Sequence, residues 1–295
     1  MEEPPWRPAA VIVFVITAFA PAYALDYTLI IPRLGGASVL PLLLARMAMP
    51  TLAALAALAV SGEDPRGSWR LLGVRFDRDA LRWGLTGSLL VVAAYAASLA
   101  VARALGCSLG PAGPLSDIAE YGGPLLLGLI VAAYLAAGIA AGLSVNAAAA
   151  LGEEIGWRGY LYPTLAKRLG RGPAALAVGV VWGLWHAPLI AAGYNYALIP
   201  TIHNQSGAGP LGYLAAFTLY TAALGLLLAV LRDASGSVYP AAAAHGTVNA
   251  LAGLFALLAR GPRLVAAPAG VSVSATMALA ALVASVLWGR SVETR

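Results

Sequence analysis

Charge is scarce in this sequence: Asp, Glu, Lys and Arg make up 11% of the chain, against roughly 25% in soluble domains. So few charges cannot cover an aqueous surface, whereas a surface facing lipid requires none. Cysteine is almost missing. The lone Cys107 excludes an internal disulfide framework and any cysteine-based metal cluster. Long polar stretches are also wanting: the longest, 61–83 and 103–123, are too short to fold around a core of their own. No internal repeat or low-complexity tail is present, so residues 1–295 are read as one domain. The N-terminal MEEPPWRPAA has neither the basic start nor the small-residue cleavage site of a signal peptide, and the first apolar segment is expected to stay as a membrane anchor. The net charge of +5 would suggest nucleic acid in a soluble protein. Here loop charges account for it, and no nucleic-acid partner is expected.

What is present is apolar: 60% of residues are hydrophobic and the mean hydropathy is +0.81. A helix crossing the hydrocarbon needs about 20 such residues at ~1.5 Å each. Eight segments qualify: 9–31, 39–60, 84–102, 124–152, 173–192, 211–231, 238–259 and 268–288. The expected fold is all-α, a polytopic integral membrane protein of about eight transmembrane helices. Asp26 and Arg46 interrupt the first two spans near their expected outer ends, where polar side chains can reach headgroups. Basic residues set the orientation. Arg66, Arg70, Arg75, Arg78, Arg82, Arg158, Lys167, Arg168 and Arg171 occupy two loops that alternate to one side, together with Arg7, Arg232, Arg290 and Arg295. Arg33, Arg103, Arg260 and Arg263 fall on the other. A multi-pass cell-membrane protein with both termini cytoplasmic is expected. Gly138 with Gly142, and Gly179 with Gly183, have the small-residue spacing that lets helix backbones approach.

Ionisable groups at bilayer depth are costly and mark function. Three clusters stand out: Glu153-Glu154 with Arg158; His186, two residues before Pro188; and His245 with Asn249. On a helix, Glu154 and Arg158 share a face and can pair, whereas Glu153 points about 100° away and is left available. A charge cluster capping the cytoplasmic end of the fourth span is the alternative. His186 lies some 13 residues into its span, and Pro188 weakens local backbone pairing there. His245 and Asn249 are four apart and present two donors on one face, suited to an oxyanion or to interhelical packing. His203, in the loop 193–210, and Trp157, Trp182 and Trp185 are expected to stand apart from the chemistry. A carboxylate, a histidine and a donor pair are what water-mediated peptide hydrolysis requires. No Ser or Cys nucleophile accompanies them.

In order and spacing the three clusters resemble the CAAX protease and bacteriocin-processing family of intramembrane endopeptidases. The resemblance rests on Glu153-Glu154-xxx-Arg158 with Gly159-Tyr160-Leu161 and Pro163; on Trp182-Gly183-Leu184-Trp185-His186-Ala187-Pro188; and on Gly236-Ser237-Val238-Tyr239-Pro240 leading to His245-Gly246-xx-Asn249. All lie within residues 150–250; the N-terminal half resembles the family only in its spans and a basic loop. The resemblance implies that Glu153 activates water with His186 as its partner. It likewise implies that His245 and Asn249 hold the oxyanion, and that Glu154 and Arg158 form a supporting pair. A peptide or protein substrate, lipidated or membrane-embedded, is implied too. Glu153, His186 and His245 would be the ligands if a metal such as zinc took part. The absence of HExxH and of Cys ligands favours a metal-free mechanism. The rivals are an ion-coupled transporter, for which no repeated halves or paired broken helices are seen, and a non-catalytic immunity or scaffold protein. Convergence also sets a geometric demand. Glu153 falls near the end of its expected helix and His186 ~20 Å into its own, so tilt, a later start or an extension of the helix towards Arg158 is required.

Overall fold

The computed structural model describes residues 4–64, 67–196 and 208–293; His203, Arg66 and Arg295 lie outside the described residues. The chain is an all-α polytopic membrane protein. Among the described residues the exception is a two-residue antiparallel pairing, Ser108–Leu109 with Ala259–Arg260. The first three rods are α1 (Pro8–Leu25), the short α2 (Leu40–Met47) continued after Ala48 by α3 (Met49–Val60), and α4 (Arg78–Ala104). They are followed by α5 (Pro114–Gly142), α6 (Val145–Glu154), α7 (Tyr162–Leu169), α8 (Arg171–Trp185) and α9 (Ala187–Ala191). The last are α10 (Pro210–Ser235), α11 (Tyr239–Ala256), α12 (Arg263–Ala266) and α13 (Val271–Glu293).

Among the described residues, six helical segments are individually long and apolar enough to cross a membrane: Pro8–Arg33, Leu40–Val60, Arg78–Ala104, Pro114–Gly142, Pro210–Ser235 and Arg263–Arg290. They answer six of the eight expected spans. The other two, 173–192 and 238–259, carry histidine motifs. The first is broken into α8 and α9 at His186, and the second holds only the 18 residues of α11. The fourth expected span, 124–152, is displaced: its helix starts earlier, at Pro114, and is kinked at Gly123 (φ 73°) just before Pro124. It does not run on to 152: the helix stops at Gly142 and restarts at Val145. Two interrupted helices therefore stand where hydropathy suggested continuous spans, one of them beside Pro188.

The interior is built around α10 and α11. α10 packs on α8, α13 and α4, while α11 packs on α4, α5 and α6. Small residues permit these approaches, and both glycine pairs singled out in the sequence lie at such contacts. A Cβ on Gly142 would meet Thr247 Cα at 2.8 Å, and one on Gly179 would meet Ala222 Cα at 2.6 Å and Thr221 O at 2.7 Å. One end of the bundle is tied by polar contacts. Gly236 (φ 70°) ends α10 in the left-handed conformation that glycine adopts without cost. Beside it, Ser237 Oγ donates to Arg75 O at 2.6 Å and Val238 N to Gly73 O at 3.0 Å. Lys167 Nζ donates to Pro4 O, and Arg171 stacks on Trp288, so the N-terminal and C-terminal helices reach this same basic end.

Gly179→Leu should destabilise the protein by ~1–3 kcal/mol, because backbone atoms rather than a yielding side chain oppose the added carbons. Gly172→Leu on the same helix, where nothing lies within 4 Å, should unfold near the wild-type midpoint. Thermal unfolding in detergent compares them.

Candidate active site

Glu153 and Glu154 end α6, but the helix does not end there. A π-helical stretch, Ile155–Leu161, joins α6 directly to α7, so segments of 10, 7 and 8 residues form one rod. The extension of the helix towards Arg158 meets the geometric demand raised by the sequence, since Glu153 now lies mid-rod. Expectation is corrected at Arg158: it is not a loop residue but is 1% exposed inside the bundle. Gly152, Gly156 and Gly159 let this rod lie flush against the end of α2 and the chain that follows it. Their Cβ positions would fall 2.8 Å from Met47 O, against Pro50 O and 2.7 Å from Leu72 O.

The adjacent carboxylates have separate partners, as the helical geometry predicts. Glu154, with no exposed surface, accepts from Arg158 Nη1 at 3.1 Å through the i,i+4 pairing. The same oxygen lies 2.9 Å from His245 Nδ1 on α11. A carboxylate oxygen already bonded to a guanidinium accepts here, so His245 Nδ1 carries a proton and Nε2 is turned elsewhere. Glu153 is 3% exposed and, among the described residues, accepts one hydrogen bond of 2.7 Å, from Trp182 Nε1. Trp182 was expected only to pack, and here it is corrected to a site residue. Its ring also contacts His186 (5.9 Å between centroids), His245 (5.0 Å) and the Arg158 guanidinium (4.6 Å).

His186 sits where α8 breaks, and its Nδ1 lies 3.0 Å from Trp182 O, one turn back. A carbonyl only accepts, so Nδ1 carries the hydrogen and Nε2 of the neutral ring presents a lone pair. The ring is held by Trp185 and Phe217. Arg46 is a third correction. It does not reach an outer headgroup region but is 2% exposed, with Nε donating to Asp26 Oδ1 and Nη2 to Trp185 O, both at 2.7 Å. Asp26 is likewise buried.

Glu153, His186, His245 and Asn249 line one cavity of about 360 Å³, together with Arg46 and Trp182. Asn249 is exposed one turn beyond the buried His245. Apolar side chains from α2 (Leu40, Leu43, Leu44) and from α10 (Phe217, Leu224) complete much of the wall. The outward exposure of Leu40 and Leu44 puts part of this wall at the lipid-facing surface. Glu154 and Arg158 stand behind the wall, where Glu154 contacts His245 and the Arg158 guanidinium lies over the Trp182 ring. Trp182 was within reach of sequence reasoning, being four residues before His186 on one helical face. Arg46 was not, because its partners are 20 and 139 positions away. Among the described residues no three His, Cys, Asp or Glu side chains are grouped closely enough to hold a metal ion.

Residues 125–251 match the family described as Type II CAAX prenyl endopeptidase Rce1-like. A relative named CAAX prenyl protease 2, from Methanococcus maripaludis, is 43% identical over 58 residues, or 20% of this chain and 21% of the relative. The matched stretch thus spans about a fifth of that relative's length.

The two glutamates should differ in stability tests. Glu154→Gln leaves Arg158 buried without its counter-charge and should cost about 3–5 kcal/mol. Glu153→Gln keeps a side chain able to accept from Trp182 and should cost under ~1.5 kcal/mol, one ordinary hydrogen bond at most. Unfolding midpoints of the two variants in the same detergent decide it.

Proposed function

We propose, taking the Rce1-like character of residues 125–251 as the premise, that this chain is an intramembrane endopeptidase that hydrolyses a peptide bond by direct attack of water. The observation that carries the reading is that a lone carboxylate, two imidazoles with different Nδ1 partners and an amide line the same cavity. Glu153 takes a proton from water while His186 Nε2 accepts the other water hydrogen and orients the lone pair. The hydroxide adds to the substrate carbonyl carbon. His245, fixed through Nδ1 by Glu154, presents Nε2–H to the oxyanion when the ring carries both protons, and Asn249 Nδ2 supplies a second donor. Glu153 then passes its proton to the leaving nitrogen as the C–N bond breaks. No acyl-enzyme forms, and no metal enters any step.

The apolar wall of α2 and its exposed leucines suit a protein or peptide substrate arriving from the lipid, as a membrane-embedded or lipid-modified chain would. The basic end, with Arg75, Lys167 and Arg171, is read as cytoplasmic, together with both termini. An ion-coupled transporter would use the same groups for a relay. The likeness of the motif region to a peptidase family favours hydrolysis.

Glu153→Ala and His186→Ala should each abolish peptide cleavage by the detergent-solubilised protein while its unfolding transition persists. Wild-type turnover in either variant, or Glu153-dependent ion flux in liposomes without proteolysis, would remove the proposal. Asn249→Ala should lower kcat about 10²–10³-fold with little change in KM, the loss expected for one oxyanion donor. Steady-state kinetics with a fluorogenic peptide measure both constants.

A further inference from the structure

Resting on that reading, we propose that the buried Asp26–Arg46 pair is a positioning device for His186, built by the N-terminal third of the chain. Its target is the break in α8. Pro188 has no N–H to return to the carbonyl four residues back, Leu184, and a helix end leaves further carbonyls without intrahelical partners. Side chains from α1 and α2 meet two consecutive carbonyls at this point. Tyr23 Oη donates to Leu184 O, and Arg46 Nη2 to Trp185 O, each at 2.7 Å. The residue that follows is His186, whose backbone leaves the helix there.

Arg46 is fixed on three sides. Asp26 accepts from Nε, the Trp185 carbonyl accepts from Nη2, and the guanidinium plane lies 3.6 Å from the Trp185 ring centroid. A planar fork held in this way has one orientation. Trp185 is tied in turn to α1 through Nε1, which donates to Ala18 O at 2.8 Å. The peptide before His186 is thus held from α1 and α2, while the ring is held from within α8 by Trp182 O. Two charges are costly at this depth, and packing alone would be served as well by apolar residues. Their placement at the one carbonyl that precedes His186 is what a positioning role requires. Arg46 acts through the backbone at Trp185 and touches neither Glu153 nor the His186 ring by any hydrogen bond among the described residues.

The test replaces the pair together, Asp26→Leu with Arg46→Met, which leaves no unpaired charge and should keep the protein folded. Arg46→Lys, which retains the charge and loses the fork, is the second variant. Full-length proteins in detergent are assayed for kcat and KM, and the imidazole nitrogens of ¹⁵N-histidine-labelled protein are read by NMR. In the double variant kcat should fall about 100-fold, the effect of a misplacement near 1 Å, with KM held within about 3-fold. Arg46→Lys should recover part of the loss. The His186 signals should move from the Nδ1–H form towards a mixture of tautomers while those of His245 stay in place. Wild-type kcat in the double variant overturns the proposal. So does a loss confined to KM, which would make Arg46 a substrate contact, and so do unmoved His186 signals. If the wild-type protein cleaves no peptide, the protease reading fails, and the ring signals alone still decide whether the pair positions His186.

Discussion

One oxygen of Glu154 is bonded both to the guanidinium one turn ahead and to an imidazole on a helix 91 positions later. In a bundle with so little water, a charge persists only where an opposite charge and hydrogen bonds replace hydration. That requirement organises the interior. It draws α11 against α6, where Gly246 leaves no room for a side chain beside Asn146 and Ala147, and where Asn146 Nδ2 donates to Gly246 O at 3.2 Å. It also leaves Glu153, the neighbour on the other face, with a tryptophan N–H in place of a cation. The contrast between the two carboxylates is a matter of which helix face each occupies.

Much of this was legible in the chain. The i,i+4 spacing foretold the Glu154–Arg158 pair, and the family resemblance rested on residues that converge on one cavity. The glycine pairs foretold close helix contacts. Less was legible about where helices start and stop. Hydropathy averages over about 20 residues and so ran α5 into α6 across the break at 143–144. It also ended the fourth span at 152, although the rod continues through a π-helical stretch whose buried Arg158 lowers the average. Arg46 and Asp26 were misplaced for a related reason. A charge near a span end has two outlets, outward to headgroups or inward to a partner, and the partner is a tertiary fact.

The two halves of the chain therefore contribute differently. The C-terminal half holds Glu153, His186, His245 and Asn249, which face the cavity in recognisable order. The N-terminal helices supply Tyr23, Asp26 and Arg46, whose local sequence context gives no sign of their destination. Such residues escape motif comparison because Tyr23 and Arg46 donate to backbone carbonyls, which carry no side-chain signature of their own.

The dimensions of the cavity impose a condition on whatever enters it. A space of about 360 Å³, walled in large part by packed helices, suits an extended stretch of chain better than a preformed domain. A chain that reaches Glu153 must first give up its own internal hydrogen bonds, in surroundings where few replacements exist. On the proposed function, discrimination between guests would then be set as much by how readily a segment unravels as by the side chains it displays, and tails and frayed helix ends would meet that condition most readily.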